Sequence, residues 1–230
     1  MKIAVIIPDR GDRPEFLKNC LRMMSEQTIQ PDFLQVVDYK PLSDKCDITQ
    51  RYRIAYHGLD GLNFDCILFI ENDDWYAPNY IETMITLWHV NGRPELFGTN
   101  YTYYYHIGIK KYFKFTHFRR ASMMNTLIKP DLNISWPVDE YPYTDAALWQ
   151  VDQLNIKNKD IKRRLSVDPG TIISLGIKHN VGMPGGNYHG NRLEKYNVCD
   201  ADFSFIKSVM DNESFNFYKS QHEKIQSQFR

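Results

Sequence analysis

The chain of 230 residues has little that would staple or anchor it. Its four cysteines, Cys20, Cys46, Cys66 and Cys199, are too widely spaced to form a CxxC pair or a zinc framework. That spacing excludes a disulfide scaffold and fits free thiols in a reducing compartment. No apolar run approaches the roughly 18–20 residues that a membrane span needs. The N-terminal stretch has one lysine, no apolar core segment and no small-residue cleavage site, so no secretory leader is expected. Charge of one sign is missing too: 28 Lys+Arg balance 28 Asp+Glu. That balance excludes an acidic or basic tail and argues against a general nucleic-acid coat, while leaving room for a local basic patch. Repeats, linkers and low-complexity tracts are absent. The expectation is one continuous globular domain in the cytoplasm, long enough to bury a sizeable core. Aromatics are in excess at 14%, with 15 Tyr and 13 Phe. Rings in such number line clefts, but they also fill ordinary cores.

The first 90 residues alternate strand and helix. Lys2 to Pro8 reads as a buried strand. Asp12 can cap a helix with Pro14 in its first turn and Phe16, Leu17, Cys20, Leu21 and Met24 on one face. Phe33 to Asp38 reads as a second strand. A helix from Asp44 or Asp47 runs to about His57, where Gly58 ends it. Cys66 to Ile70 is a third buried strand, and Pro78 and Asn79 open a third helix. Such repetition predicts a parallel sheet with helices on both faces. After Pro94 the pattern changes. Tyr101 to Ile109 and Tyr112 to Phe118 read as a hairpin, followed by a helix at 144–155, a basic loop and a strand at 171–178. A Gly-rich stretch then runs from Gly182 to Gly190, and a peripheral helical tail starts at Asp202.

In an open α/β sheet, ligands sit at the carboxyl ends of the strands. That rule places Pro8, Asp9, Arg10, Asp38 and the segment after Ile70 around one crevice. The segment reads Glu71-Asn72-Asp73-Asp74-Trp75, with three carboxylates in four positions. Carboxylates crowded at a strand end repel unless a cation or hydrogen-bond donors neutralise them. Hard oxygen ligands suit magnesium or manganese, which also take phosphate oxygens. Spacing alone leaves a second reading open, an Asp-rich turn with Asp74 capping a helix.

Three early segments together resemble the family-2-type glycosyltransferases of GT-A fold. Ile3-Ala4-Val5-Ile6-Ile7-Pro8 followed by Arg13-Pro14-Glu15-Phe16-Leu17 resembles their opening strand and helix. Gln35-Val36-Val37-Asp38 resembles the second strand, whose Asp contacts the nucleoside. Glu71-Asn72-Asp73-Asp74 resembles the Asp-x-Asp-Asp motif that holds metal and diphosphate. One departure is that Glu71 stands where the family has Asp. The resemblance therefore implies Asp73 as the main ligand of Mn2+ or Mg2+, with Glu71 on ribose or a metal-bound water. Later, Tyr143-Thr144-Asp145-Ala146-Ala147-Leu148-Trp149 resembles the Glu-Asp-x-x-Leu-Trp motif, with Thr144 in place of Glu. It implies that Asp145 is the general base of an inverting transfer; Asp139 and Glu140 are its back-ups. Read without the resemblance, Asp145 is a plain acid at a helix start. Ile177-Lys178-His179-Asn180 resembles the late strand whose His completes the metal site, and His189 is a weaker candidate.

The implied architecture is a single GT-A-like α/β domain over 1–230. Its parts are a nucleotide-sugar half (1–94), an acceptor half with an antiparallel hairpin (95–200) and a helical tail (201–230). The implied donor is a nucleotide-diphosphate sugar, held by Pro8, Asp9, Arg10, Asp38, Arg51, Asn72, Asp73, Lys178, Gly185 and Gly186. Arg13 lies near the same end. Arg51 and Arg53, two apart on a helix, do not share a face, so at most one points at the nucleotide.

On the acceptor side the candidates are Tyr103, Tyr105 and Lys114, with Asp74 and Trp75 closing the carboxylate motif. Residues 110–120 hold five Lys/Arg, no acid and four rings. Basic groups interleaved with rings bind phosphate backbones and stack on bases, but they also form solvated hairpin faces. Two acceptor classes follow. One is a surface glycan, lipid-linked sugar or protein; the other is a hydroxymethylated pyrimidine in DNA, presented out of the stack. The alternatives are a sugar nucleotidyltransferase, disfavoured by a single Gly after the first strand, or a non-catalytic nucleotide- or carbohydrate-binding module.

Overall fold

A computed structural model of the chain describes residues 1–130, 132–149, 161–166, 170–179, 181 and 193–227. The first strand, β1 (Ile3–Pro8), is buried along its whole length. It pairs in parallel with β2 (Phe33–Val37) on one side and β3 (Cys66–Phe69) on the other. Its alternate side chains serve two cores, as the period of a strand requires. Ile3, Val5 and Ile7 pack with α1 (Pro14–Ser25) and α3 (Tyr80–Val90). Ala4 and Ile6 pack with α2 (Ile48–Gly58). This is the expected sheet with helices on both faces.

Beyond β3 the sheet is mixed. β8 (Thr126–Ile128) runs antiparallel to β3 and to β5 (Leu96–Thr99), and β9 (Arg163–Ser166) rejoins β5 in parallel. The sheet order is β2-β1-β3-β8-β5-β9. A second sheet carries the expected hairpin, β6 (Tyr101–His106) with β7 (Lys111–Thr116). β10 (Ser174–Lys178) adds to β6 in parallel, and two-residue strands flank the set, β4 (Trp75–Tyr76) and β11 (Val198–Cys199). β4 and β10 therefore tie the segment after β3 directly to the late strand that carries Lys178.

Several local expectations change. The residue capping α1 is Arg13, not Asp12, and it makes no side-chain cap bond; Pro14 opens the helix. Phe16, Cys20, Met23 and Met24 face the core, while Leu21 turns to solvent. Asp74 caps no helix, because β4 follows it and α3 is capped by Asn79. α4 covers Thr144–Leu148, and residues 150–160 of the expected helix lie outside the described residues. The tail is helical, as α5 (Ser204–Val209) and α6 (Asn212–Ser227), but it is not peripheral. α6 buries Tyr218 and Ile225 in the core cluster shared with β1 and α1. All four cysteines are free. Among the described residues no helix is long and apolar enough to cross a membrane.

Candidate active site

The carboxyl ends of β1, β3 and β10 open into one cleft of about 590 Å3, within the roughly 300–1,000 Å3 of small-molecule sites. Pro8, Asp9 and Arg10 enter from β1, Glu71, Asn72 and Asp73 from the end of β3, and Lys178 from β10. α2 adds Arg51, and the start of α4 adds Asp145. The topological rule for open sheets thus brings together most of the expected donor residues.

At the β1 end, the carboxylate of Asp9 accepts from Asn72 Nδ2 at 2.6 Å and from the Gly11 N–H at 3.0 Å. Gly11 has a φ of 78°, a left-handed turn that a glycine adopts without strain. Arg10 donates to the carbonyls of Lys45 and Ser43 and pairs with Asp47 at 2.8 Å. Arg51 lines the cleft floor, but all its donors are spent within the protein. It donates to the carbonyls of Asp9 (2.5 Å), Val37 (2.7 Å) and Tyr39 (2.8 Å) and twice to Asp47 Oδ2. It therefore shapes the cleft with no N–H left to give a nucleotide, and Arg53 pairs with Asp139. Asp38 is exposed and outside the cleft. Arg51 holds the carbonyls of Val37 and Tyr39 on its own side, and alternation turns Asp38 outward.

The carboxylate motif divides by role. Asp73 Oδ2 pairs with Arg13 and accepts from His179 Nε2 at 3.0 Å. Burial alone would raise its pKa, but Arg13, then His179 and Lys178, outweigh that and hold the carboxyl well below the usual range. Asp74 is fully buried and accepts from the Ile177 N–H at 2.7 Å, which stitches the motif to β10. Burial pushes its pKa well up; Lys178 opposes the shift, and like charge on Glu71 and Asp73 adds to it. Burial would lower the Lys178 pKa, but Asp74, Glu71 and Asp73 together raise it, so the ammonium stays charged. Its Nζ lies 3.8 Å from Asp74 Oδ1, too far for a hydrogen bond. Asp74 and Trp75 face the core rather than an acceptor, and the Trp75 indole reaches Asp211 at 3.4 Å.

The donor set meets a divalent cation in part. Asp73 and Glu71 fit one that arrives with phosphate oxygens, since magnesium commonly takes about one or two carboxylates and leaves its other positions to phosphate and water. No group of three or more candidate ligands occurs among the described residues. His179 does not fit as a direct ligand in this arrangement. Its Nδ1 accepts the Val181 N–H at 3.1 Å, so Nε2 carries the proton it gives to Asp73. Phe16 stacks on the imidazole with centroids 4.5 Å apart and fixes that orientation. His179 thus orients Asp73, as partners of metal-binding carboxylates do. Gly185, Gly186 and His189 lie outside the described residues.

Across the cleft, Asp145 stands at the start of α4 and is paired with Arg120. Its Oδ1 also accepts the Ala146 N–H at 2.8 Å. Thr144, where the resembled motif has Glu, is buried; its hydroxyl meets that of Thr49 on α2 at 2.6 Å. Thr144 thus anchors α4 to α2.

The hairpin wall corrects the acceptor expectations by one residue. Tyr104, not Tyr103 or Tyr105, faces the cleft, with Phe113, Phe115 and His117. Tyr103, Tyr105 and Tyr112 turn to the other face and gather around Phe205; the Tyr112 and Phe205 rings stack at 3.8 Å. Lys114 also points away, over the Tyr101 ring at 4.2 Å. Tyr104 and Phe113 are register partners and so share the cleft face. Arg120 stands out in the sequence only as one of the five basic residues at 110–120; its pairing with Asp145, 25 residues on, leaves no local signal.

No family model and no curated protein sequence matches this chain. Solved structures do. S. aureus TarS 1-349 in complex with UDP-GlcNAc superposes with a TM-score of 0.51 at 12% identity, over 80% of this chain and 60% of that one. A glycosyltransferase involved in the glycosylation of the major capsid of PBCV-1 matches at a TM-score of 0.41 and 12% identity, over 75% of this chain and 84% of that one. The two-sheet architecture and the TarS superposition agree on one conclusion: the chain has a GT-A-like α/β fold.

Proposed function

We propose that this protein is a glycosyltransferase that moves a sugar from a nucleotide-diphosphate sugar to an acceptor hydroxyl, with inversion at the anomeric carbon. One observation carries the reading. A single cleft holds two cations that can take an anion, Arg13 and Lys178, beside a carboxylate that can take a divalent cation, Asp73, and it holds a second carboxylate, Asp145. The UDP-GlcNAc bound by S. aureus TarS in a similar fold supports the same donor class.

In this reading the nucleoside end lies against Pro8, Asp9 and Arg10, and the diphosphate lies beside Lys178 and Arg13. The acceptor oxygen forms a bond to the anomeric carbon while the bond from that carbon to the β-phosphate oxygen breaks. The leaving diphosphate takes the electron pair, and Asp145 takes the proton of the acceptor hydroxyl. Arg120 must shift from Asp145 for that proton to pass, or else orient the carboxylate from one side. When bound, a divalent cation supplies charge neutralisation at the diphosphate, and Asp73 and Glu71 would hold it.

The acceptor side favours a carbohydrate over DNA. Of the five basic residues at 110–120 only Arg120 lines the cleft, and it is paired with Asp145. The wall itself is rings, Tyr104, Phe113 and Phe115, which present apolar faces to a sugar. The test is Asp145→Asn. It should keep nucleotide affinity within about twofold and lose about a hundredfold or more in sugar transfer or donor hydrolysis. Full turnover in the variant would sink the assignment.

A further inference from the structure

We propose that Arg13 is a diphosphate-binding residue that gives up Asp73 to take the donor, so that the donor must enter before Asp73 opens to a divalent cation. The inference rests on the donor reading above and adds an order of events to it.

Arg13 precedes Pro14, whose ring starts α1, and this places its guanidinium at the cleft. One nitrogen pairs with Asp73 Oδ2. Its Nε lies 3.6 Å from Asp12 Oδ1 and has no hydrogen-bond partner among the described residues. The other cleft arginines are committed. Arg51 spends every donor on the protein, Arg10 holds Asp47 and two carbonyls, and Arg120 holds Asp145. Arg13 is thus the cleft arginine with an unspent buried donor.

Asp73 Oδ2 already serves two donors, Arg13 and His179. A carboxylate oxygen offers about two lone pairs, so Oδ2 is full and Asp73 has only Oδ1 left for a cation. A divalent cation approaching it alone would also meet the fixed charge of the guanidinium. His179 cannot make room, because the Val181 N–H and the Phe16 ring hold its orientation. Arg13 can, because its side chain keeps 16% of its surface in solvent while that of His179 has none. A diphosphate offers the planar fork several charged oxygens in place of one, which is the geometry that guanidinium binds best. Moving Arg13 onto it frees a lone pair on Asp73 as the phosphate oxygens arrive.

Two titrations on the full chain test this, for wild type and Arg13→Gln. Calorimetry with UDP, GDP, ADP and CDP in EDTA reads the diphosphate contact. Electron paramagnetic resonance of free Mn2+ without nucleotide reads access to Asp73. The variant should bind its nucleotide about tenfold more weakly, the loss of a charged hydrogen bond, and should bind Mn2+ alone more tightly. Opposite signs separate this role from a structural one, which would weaken both. Arg13→Lys, which keeps the charge, should leave Mn2+ binding weak. A second reading compares the two proteins: saturating nucleotide should tighten Mn2+ binding more in wild type than in Arg13→Gln, each corrected for the Mn2+ that the same nucleotide chelates without protein. Unchanged nucleotide affinity in Arg13→Gln, or equal tightening in the two proteins, would overturn the inference while the donor reading stands. If wild type binds none of the four nucleotides under either condition, the donor reading fails and this inference fails with it.

Discussion

The hydroxyl of Tyr218, on the last helix, donates to the backbone carbonyl of Asp73 at 3.2 Å, across 145 positions of chain. The ring beneath it is fully buried against the core that carries β1 and α1. A helix that the sequence marks only as a tail therefore fixes the loop on which the candidate diphosphate site depends. Tyr218→Phe keeps the packing and removes the donor, which leaves a buried carbonyl with one partner fewer. We expect a loss of about 1 kcal/mol in urea unfolding and a weaker nucleotide affinity by calorimetry. An unchanged affinity would show that the loop holds its place without α6.

Gly176 and Tyr104 form a second such pair. They are register partners on β10 and β6, and a Cβ on Gly176 would meet the Tyr104 ring at 2.6 Å. Gly176→Ala should push that ring into the cleft and cost about 1–3 kcal/mol, the usual range for overpacking. The cost should shrink in a Tyr104→Ala background, which a double-mutant cycle reads directly. Additive effects would mean that the strand gives way elsewhere.

Arg51 is expected to matter for folding more than for binding. It is 1% exposed and joins the ends of β1 and β2 to the start of α2. Arg51→Leu takes a partner from the carbonyls of Asp9, Val37 and Tyr39 and from Asp47 Oδ2; Val37 keeps the Asp9 N–H and Asp47 keeps Arg10, and the cost should be about 3 kcal/mol in urea unfolding. Arg51→Lys should recover only part, since one ammonium cannot serve the fork of five bonds.

Two buried histidines set an acid limit on stability. Burial, then His179 and Lys178, lowers the His106 pKa to about 4. Burial, then Arg120, lowers the His117 pKa to about 3. The unfolded chain takes up these protons near pH 6.5. Both folded values are depressed, so their stabilisation is complete above about pH 6.5 and is lost as pH falls toward 4 and then 3. Each can contribute a slope of up to about 1.4 kcal/mol per pH unit in that window. Urea unfolding from pH 7.5 to 4.5 should show the loss, and His117→Gln should flatten it. A flat profile between pH 6.5 and 5 would contradict the burial argument.

Much of the N-terminal part of the fold was legible because its signals are local. The β-branched run of β1, Pro14 after it and the apolar Cys66–Phe69 stretch each report on their own few residues. What the sequence hid depends on partners far along the chain. β4 has two residues and exists because β10 pairs with it, nearly a hundred positions later. The β6 segment Tyr101–His106 carries rings on both faces, so its pattern gives no inward side; the choice of Tyr104 over Tyr103 and Tyr105 is made by Phe205 and Phe113. The strand end and the resemblance offer Asp38 to the nucleoside, and the guanidinium on α2 offers Arg51 to the nucleotide. Whether such a group faces the ligand or the protein depends on who takes its hydrogen bonds, and Arg51 finds all of its partners at home.

The central claim is that the cleft at the ends of β1, β3 and β10 binds a nucleotide-diphosphate sugar. A thermal-shift panel of nucleotide-sugars and nucleoside diphosphates, with and without manganese, tests it most directly. A binder at a hundredfold excess over its Kd adds about 2.7 kcal/mol of stability. We expect one nucleoside class to raise the melting temperature, and Asp73→Asn with Lys178→Met to abolish the shift. No shift with any nucleotide would contradict the claim and leave a GT-A-like fold whose carboxylates and cations serve only one another.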